Sequence, residues 1–301
     1  MENAALIPGR LGLAQAEIPY SDRHGLIMLS RGQLSVENGT LQFTCAKTDD
    51  LDAGVYAIPY QQVSMILLGP GSSVTHDALR ILAHHGTQLC ATGDGGVKCY
   101  TAPPLGHIED GKSAMARKHA ELWSVKKTRL DIARKMYAIR FGEILPHKDI
   151  DVLRGIEGGR IKEAYRVLAA KHRIAWSGRR YDRKSPESAD TPNQAINHVS
   201  TFVENAANIA VTAVGALPQL GFIHETAGDA FSLDIADLYR VTVTVPVAFR
   251  VARKVMDRRD LVLERECRYE SAIEFRKVQL IPSMIDAIKK VLNVDDGAGG
   301  T

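Results

Sequence analysis

The chain has 301 residues, 45% of them hydrophobic and 24% charged, with a formal net charge of +3. That length and composition fit one large or two modest soluble domains with a buried core, and so mild a basic excess does not by itself announce a polyanionic partner. The longest apolar run, Ile209 to Leu217, stops at Pro218, far short of the roughly 20 residues that span a bilayer, so no membrane association is expected.

Met1 to Leu13 carries Glu2, Pro8 and Arg10 and lacks the apolar core of a signal peptide. The first hundred residues then read mainly as strands. Leu34 and Val36 alternate with polar residues, as do Leu41 and Phe43. Asn38-Gly39 between them marks a hairpin whose turn needs two positive φ angles. Ser64 to Leu68 reads as a buried strand closed by Gly69-Pro70-Gly71. Thr75 to His85 reads as a helix with Leu79, Leu82 and Ala83 on one side. Strands at Thr87–Ala91 and Val97–Tyr100 are expected around Gly93-Asp94-Gly95-Gly96. The four cysteines, Cys45, Cys90, Cys99 and Cys267, form no C-x-x-C pair, so they read as reduced residues of a cytoplasmic protein.

Ala102-Pro103-Pro104-Leu105-Gly106 reads as a linker, because proline removes donors and fixes φ. Beyond it the pattern turns helical. Ser113 to Phe141 is predicted as one long helix with Leu122, Val125, Ile132, Met136 and Ile139 inward. Its basic faces carry Arg117, Lys118, Lys126, Lys127, Arg129, Arg134, Lys135 and Arg140. Further helices are predicted at about 149–172, 191–214, 234–256 and 260–292. The fold class is therefore α+β: a β-rich N-terminal domain (1–101), a linker (102–112), a larger all-α domain (113–294) and a Gly-rich disordered tail (295–301).

Three positions break the packing pattern. Glu157 sits at the centre of an arc with Leu153, Ile161, Ala164 and Leu168, where a carboxylate is costly unless compensated. A buried salt bridge, to Arg160 or a base elsewhere, would compensate it. Asp234 and Asp237, three residues apart, share a helix face with Leu238 and Val241. Two acids on one inward face repel, and a bound cation removes that penalty. The bland alternative, a helix N-cap, accounts for one Asp better than for both. His224, in Gly221-Phe222-Ile223-His224, precedes the pair by ten residues. Carboxylates with an imidazole suit Mg²⁺ or Mn²⁺, and the lack of thiolate argues against structural zinc. On this reading the empty site is strained, and neutral isosteres of the acids should not destabilise the metal-free fold. Basic runs at 113–141, Gly178–Lys184 and Arg250–Arg259 fit a polyanionic substrate.

Leu153-Arg154-Gly155-Ile156-Glu157-Gly158, then Trp176-Ser177-Gly178-Arg179-Arg180-Tyr181-Asp182, Gly221-Phe222-Ile223-His224 and Asp234-Ile235-Ala236-Asp237 occur in that order. Together they resemble the motifs of the CRISPR-associated adaptation integrases, the "Cas one" family, and most of all its type I-E branch. The resemblance implies a homodimer formed through the N-terminal domain and a small "Cas two" partner bridging two dimers. It implies a reaction in which the 3′-OH of a short DNA duplex attacks the leader end of a CRISPR array. It makes Glu157, His224 and Asp237 metal ligands and Asp234 a second acid that orients the site or assists catalysis. Tyr181 would stack on the duplex end, and Arg80, Arg179 and Arg268 would meet phosphates. Lys98 stands where the family leads one to expect arginine, Glu204 where an aromatic, and Ala227 where a lysine. A DNA-repair nuclease acting on branched DNA, or a DNA scaffold with structural acids, is the alternative.

Overall fold

The short apolar strand β5 (Met65–Leu68) joins the two hydrophobic cores of the molecule. Met65 and Leu67 face a core of helices, whereas Ile66 and Leu68 face a core of strands. Burial on both faces explains why this segment is a continuous apolar run rather than an alternating one. The computed structural model describes residues 26–48, 51–101, 112–143, 150–180, 189–258 and 260–292. The expected linker (but for Lys112), the tail at 295–301 and Tyr181 lie outside these.

β5 is the centre of a parallel sheet, flanked by β1 (Leu26–Leu29) and β7 (Gln88–Ala91). The second sheet has the order β4 (Gly54–Ala57), β3 (Thr40–Cys45), β2 (Gly32–Glu37), β6 (Ser73–Val74). The hairpin between β2 and β3 turns at Asn38 (φ 51°) and Gly39 (φ 75°) and pairs Leu34 with Phe43 and Val36 with Leu41. Helix α1 (His76–His84) starts at Thr75, whose hydroxyl accepts from the Ala78 amide, and carries the chain from β6 to β7. It buries Ala78 and Leu82, while Leu79 is exposed, contrary to its expected inward position. The strand expected at Val97–Tyr100 is a single bridge, Thr92 to Cys99. A 3-10 turn at Asp94–Gly96, with Gly95 and Gly96 at positive φ, bends the chain before pairing can extend.

Three predicted helices are broken, each for a local reason. The 113–141 helix is two helices, α2 (Lys112–Ser124) and α3 (Lys126–Phe141), separated by an extended, exposed Val125. Thr128 donates its hydroxyl to the Leu122 carbonyl, an acceptor that a continuous ladder would have given to the Lys126 amide, while the Val125 carbonyl already accepts the Arg129 amide of the second helix. The 234–256 helix begins earlier, as α6 (Ala230–Leu238). It passes through a π-helical turn at Arg240–Thr244 and resumes as α7 (Val245–Asp257). Pro246 lacks an amide proton and its ring crowds the carbonyl four residues back, which the wider turn accommodates. The 260–292 helix is α8 (Leu263–Lys277) and α9 (Leu280–Val291), split at Gln279, which is left-handed at φ 50°. Pro282 sets that break by the same steric rule. The other two, α4 (Ile150–Lys171) and α5 (Thr191–Val214), run as expected. Helix α5 buries one face from Ala195 to Ala207 and is buried all round from Ile209 to Val214, and α6, α7, α8 and α9 pack around it.

Candidate active site

Asp234 is wholly buried on α6, and its carboxylate organises the loop before it. One oxygen accepts the amides of Phe222 (2.6 Å) and Ile223 (3.0 Å). The other accepts the amide of His224 (2.9 Å) and its Nδ1–H (2.7 Å). Gly221 permits this tight turn, since a Cβ there would lie 2.0 Å from the His224 carbonyl oxygen and 2.7 Å from Ala230 Cβ. The loop is also fastened from α2. His119 Nε2 donates to the Leu220 carbonyl (2.8 Å), its Nδ1 accepts the Leu217 amide (3.2 Å), and Trp123 Nε1 donates to the Gly221 carbonyl (2.8 Å). The His119 ring stacks on Phe222. These contacts fix the neutral tautomer of His119, and burial pushes its pKa down to about 4.

That depression makes an acid-side prediction. Between about pH 4 and an unfolded-state value near 6.5, the unfolded chain binds a proton at His119 that the folded chain refuses. Its contribution to stability is therefore complete above about 6.5 and is lost as pH falls towards 4, by about 3 kcal/mol in all. Urea unfolding of His119→Gln is expected to show a flatter acid limb than the parent protein. An identical limb would contradict this assignment.

With Nδ1 committed to Asp234, His224 presents Nε2 to Asp237, 3.9 Å from its Oδ2. The hydrogen bond to Asp234, aided by the charges of Asp234, Asp237 and Glu157 and opposed by burial, holds this imidazole above its ordinary pKa. Glu157, on α4, faces the same cleft, which Arg154, Ile223, Glu225 and Thr226 also line. Arg154 steadies the cleft wall by donating to the Ile223 carbonyl (2.9 Å). The structure thus brings Glu157, His224, Asp234 and Asp237 together from two helices and a loop, with Asp234 behind the imidazole rather than in the cleft.

Two arginines complete the centre. Arg140 of α3 hydrogen-bonds Glu157 through Nη1, and the same nitrogen lies 3.7 Å from Asp237 Oδ2. Arg240 donates to Asp237 Oδ1 from Nε (2.8 Å) and Nη2 (2.6 Å). The salt-bridge reading of Glu157 therefore has a real partner, but it is Arg140; Arg160 pairs with Glu143. The N-cap reading of the Asp pair fails, because α6 starts at Ala230 and both acids lie in its last turns. Among the described residues, no three His, Cys, Asp or Glu side chains are gathered closely enough to hold a metal ion as they stand. The donor set still fits a hard divalent cation: two carboxylates and an imidazole nitrogen converge, and a cationic nitrogen stands between the carboxylates. Arg140, expected on a basic outer face of the 113–141 helix, is turned inward instead. Its spacing from Ile132 and Met136, four residues at each step, was the available sign that it continues an inward stripe.

A family model described as CRISPR associated protein Cas1 matches residues 140–270, a span containing all four of the predicted catalytic residues. The chain is 34% identical to the CRISPR-associated endonuclease Cas1 3 of Methanospirillum hungatei over 94% of this chain and 90% of that protein. It is also 34% identical to the CRISPR-associated endonuclease Cas1 of Escherichia coli, over 91% and 87%.

The chain belongs to the Cas1 family.

Its fold matches that of TtCas1 in a solved complex with DNA, with a TM-score of 0.79 at 26% identity, over 92% of this chain and all of the other. The residues expected to meet DNA are dispersed over this Cas1 chain. Arg80 is exposed on α1 beside Asp77. Lys98 and Arg268 approach the same carboxylate, Glu264, at 3.6 and 3.8 Å. Arg179 donates to Asn193 and Asn197 of α5. Glu204 is a half-buried carboxyl in a small pocket behind His224 and Asp237, and burial raises its pKa against the pull of Arg240. The basic run at 250–259 is not a free cationic surface. Arg250 pairs with Glu270 and Glu274, Arg253 with Asp257, Lys254 with Glu266 and Glu270, and Arg258 with Asp260; Arg259 is outside the described residues. Lys135, expected on a basic face that meets a polyanion, donates to the carbonyl of Lys290 at the end of α9. Among the described residues, no helix is long and apolar enough to cross a membrane.

Proposed function

We propose that this Cas1 chain is a metal-dependent DNA endonuclease and strand transferase of CRISPR adaptation, joining the 3′-OH ends of short prespacer duplexes to the leader end of a repeat array. The observation that carries this reading is the convergence of Glu157, Asp237 and the outward-facing Nε2 of His224 on one cleft. These three side chains would hold Mg²⁺ or Mn²⁺, which when bound supplies charge to polarise the scissile phosphate and to neutralise the leaving oxyanion. Asp234 keeps the imidazole in the tautomer that leaves Nε2 free and stops the ring from turning. Arg154, which lines the cleft, would offer a phosphate of the entering strand a cationic partner by exchanging its present contact with Asp151. The reaction is an exchange of esters. The incoming 3′-OH gives up its proton as its oxygen bonds to phosphorus, and the target strand's 3′-oxygen leaves with the electron pair of its bond to phosphorus and takes up a proton, so no high-energy cofactor is required. Water in place of the incoming 3′-OH would give nicking.

From the resemblance of its motifs to the family we further propose a homodimer through the N-terminal domain, the small "Cas two" protein as a bridge, and Arg80, Lys98, Arg179, Tyr181 and Arg268 as DNA contacts. The duplex-binding part has a direct test. Log affinity should fall with log salt by roughly 0.9 per phosphate contact, so Arg179→Ala is expected to flatten the slope by about one. Arg250→Ala should leave the slope alone, because that guanidinium is already paired with Glu270 and Glu274. A parent slope near zero would refute duplex binding.

A further inference from the structure

We infer that Arg140 is a tethered counter-cation that holds the two cleft carboxylates in the absence of metal and competes with the divalent ion for them. The inference rests on the reading of Glu157 and Asp237 as metal ligands and adds an antagonist to it. Arg140 is only 5% exposed, and its Nη1 contacts Glu157 while lying 3.7 Å from Asp237 Oδ2. A unit positive charge therefore stands between the groups that a divalent ion would have to bridge.

Two features distinguish this from an ordinary structural ion pair. A buried guanidinium kept for stability normally has its donors satisfied, yet Arg140 Nε is buried and has no hydrogen-bond partner. Asp237 has a second cation of its own, Arg240, bound through the opposite carboxylate oxygen. Asp237 would thus stay in place when Arg140 withdraws. A guanidinium and a divalent ion on the same oxygens would repel at contact distance inside a half-buried cleft. Occupancy by one excludes the other, and metal affinity in the absence of DNA is set by the difference between them.

The test is Mn²⁺ binding to the full-length protein without DNA, followed by calorimetry and by loss of the free Mn²⁺ paramagnetic resonance signal, with melting recorded in EDTA. Arg140→Met is expected to bind Mn²⁺ at least ten-fold more tightly than the parent while melting lower in EDTA. Arg140→Lys, which keeps the charge but loses the fork, should fall between the two, and it carries the test if the Met variant does not fold. Asp237→Asn should abolish the binding. If the parent binds Mn²⁺ in a manner that Asp237→Asn abolishes, but the Arg140 variants bind no more tightly, the competition is refuted and the metal site stands. If neither the parent nor the Arg140 variants bind, both readings fall.

Discussion

Asp234→Ala is expected to lose about 3–5 kcal/mol of stability, a larger effect than any other single truncation at the site. The carboxylate accepts four hydrogen bonds, three from consecutive backbone amides and one from the His224 ring. Each buried donor left without a partner costs about 1–3 kcal/mol, reduced by whatever relaxation the loop allows. Relaxation is limited, because His119 and Trp123 hold the same turn from α2. Asp234→Asn keeps one acceptor but turns an amide group towards amides, so it should recover only part of the loss. Urea midpoints of the two variants check this. A change below about 1 kcal/mol for the alanine variant would mean that the loop is held by something else.

Glu157→Ala and Asp237→Ala are expected to lower strand transfer and nicking by at least about 100-fold while leaving duplex affinity within a few-fold. Their effect on the metal-free fold has the opposite sign from the one that the sequence suggested. A cluster of inward acids would be relieved by neutral isosteres. Here Glu157 and Asp237 grip the buried Arg140, so Glu157→Gln or Asp237→Asn in EDTA should melt below the parent, by about 2–3 kcal/mol, since one carboxylate remains on the guanidinium. Mn²⁺ should raise the melting temperature of the parent and barely move the variants. Because the His224 imidazole is held above its ordinary pKa, and a metal ligand must be neutral, that stabilisation should grow with pH above about 6.5. Variants that melt at or above the parent in EDTA would contradict the ion-pair geometry.

What the sequence made legible was local. Alternation around Asn38-Gly39 gave the hairpin and its register, and Glu157, Asp234 and Asp237 stood out because acids occupied positions reserved for apolar residues, whereas His224 gained meaning only from its nearness to the Asp pair. The parallel sheet was not legible, because β1 and β5 are joined through an intervening meander and no periodicity records which strands become neighbours. Helix interruptions at Val125, Tyr239 and Gln279 were missed because a 3.6-residue pattern continues across a break that preserves the buried side. Pro246 and Pro282 were the unread signals for the second and third. Arg140 and the run at 250–259 failed for a common reason. Whether a basic side chain is solvated, capping a helix or paired depends on which helix packs opposite, as Lys135 of α3 against the end of α9 and Arg250 of α7 against α8 illustrate.

The proposed function is tested most directly by strand transfer of a labelled short duplex into supercoiled plasmid carrying a leader and repeat, in Mg²⁺ or Mn²⁺, with the "Cas two" partner present. The expected result is covalent transfer of label to the leader–repeat junction by the parent protein, abolished by EDTA and absent for Asp237→Asn although that variant still binds the duplex. Transfer that persists in EDTA or in Asp237→Asn would contradict the assigned site. Cleavage of branched DNA with no joined product would replace the integrase with a repair-type nuclease.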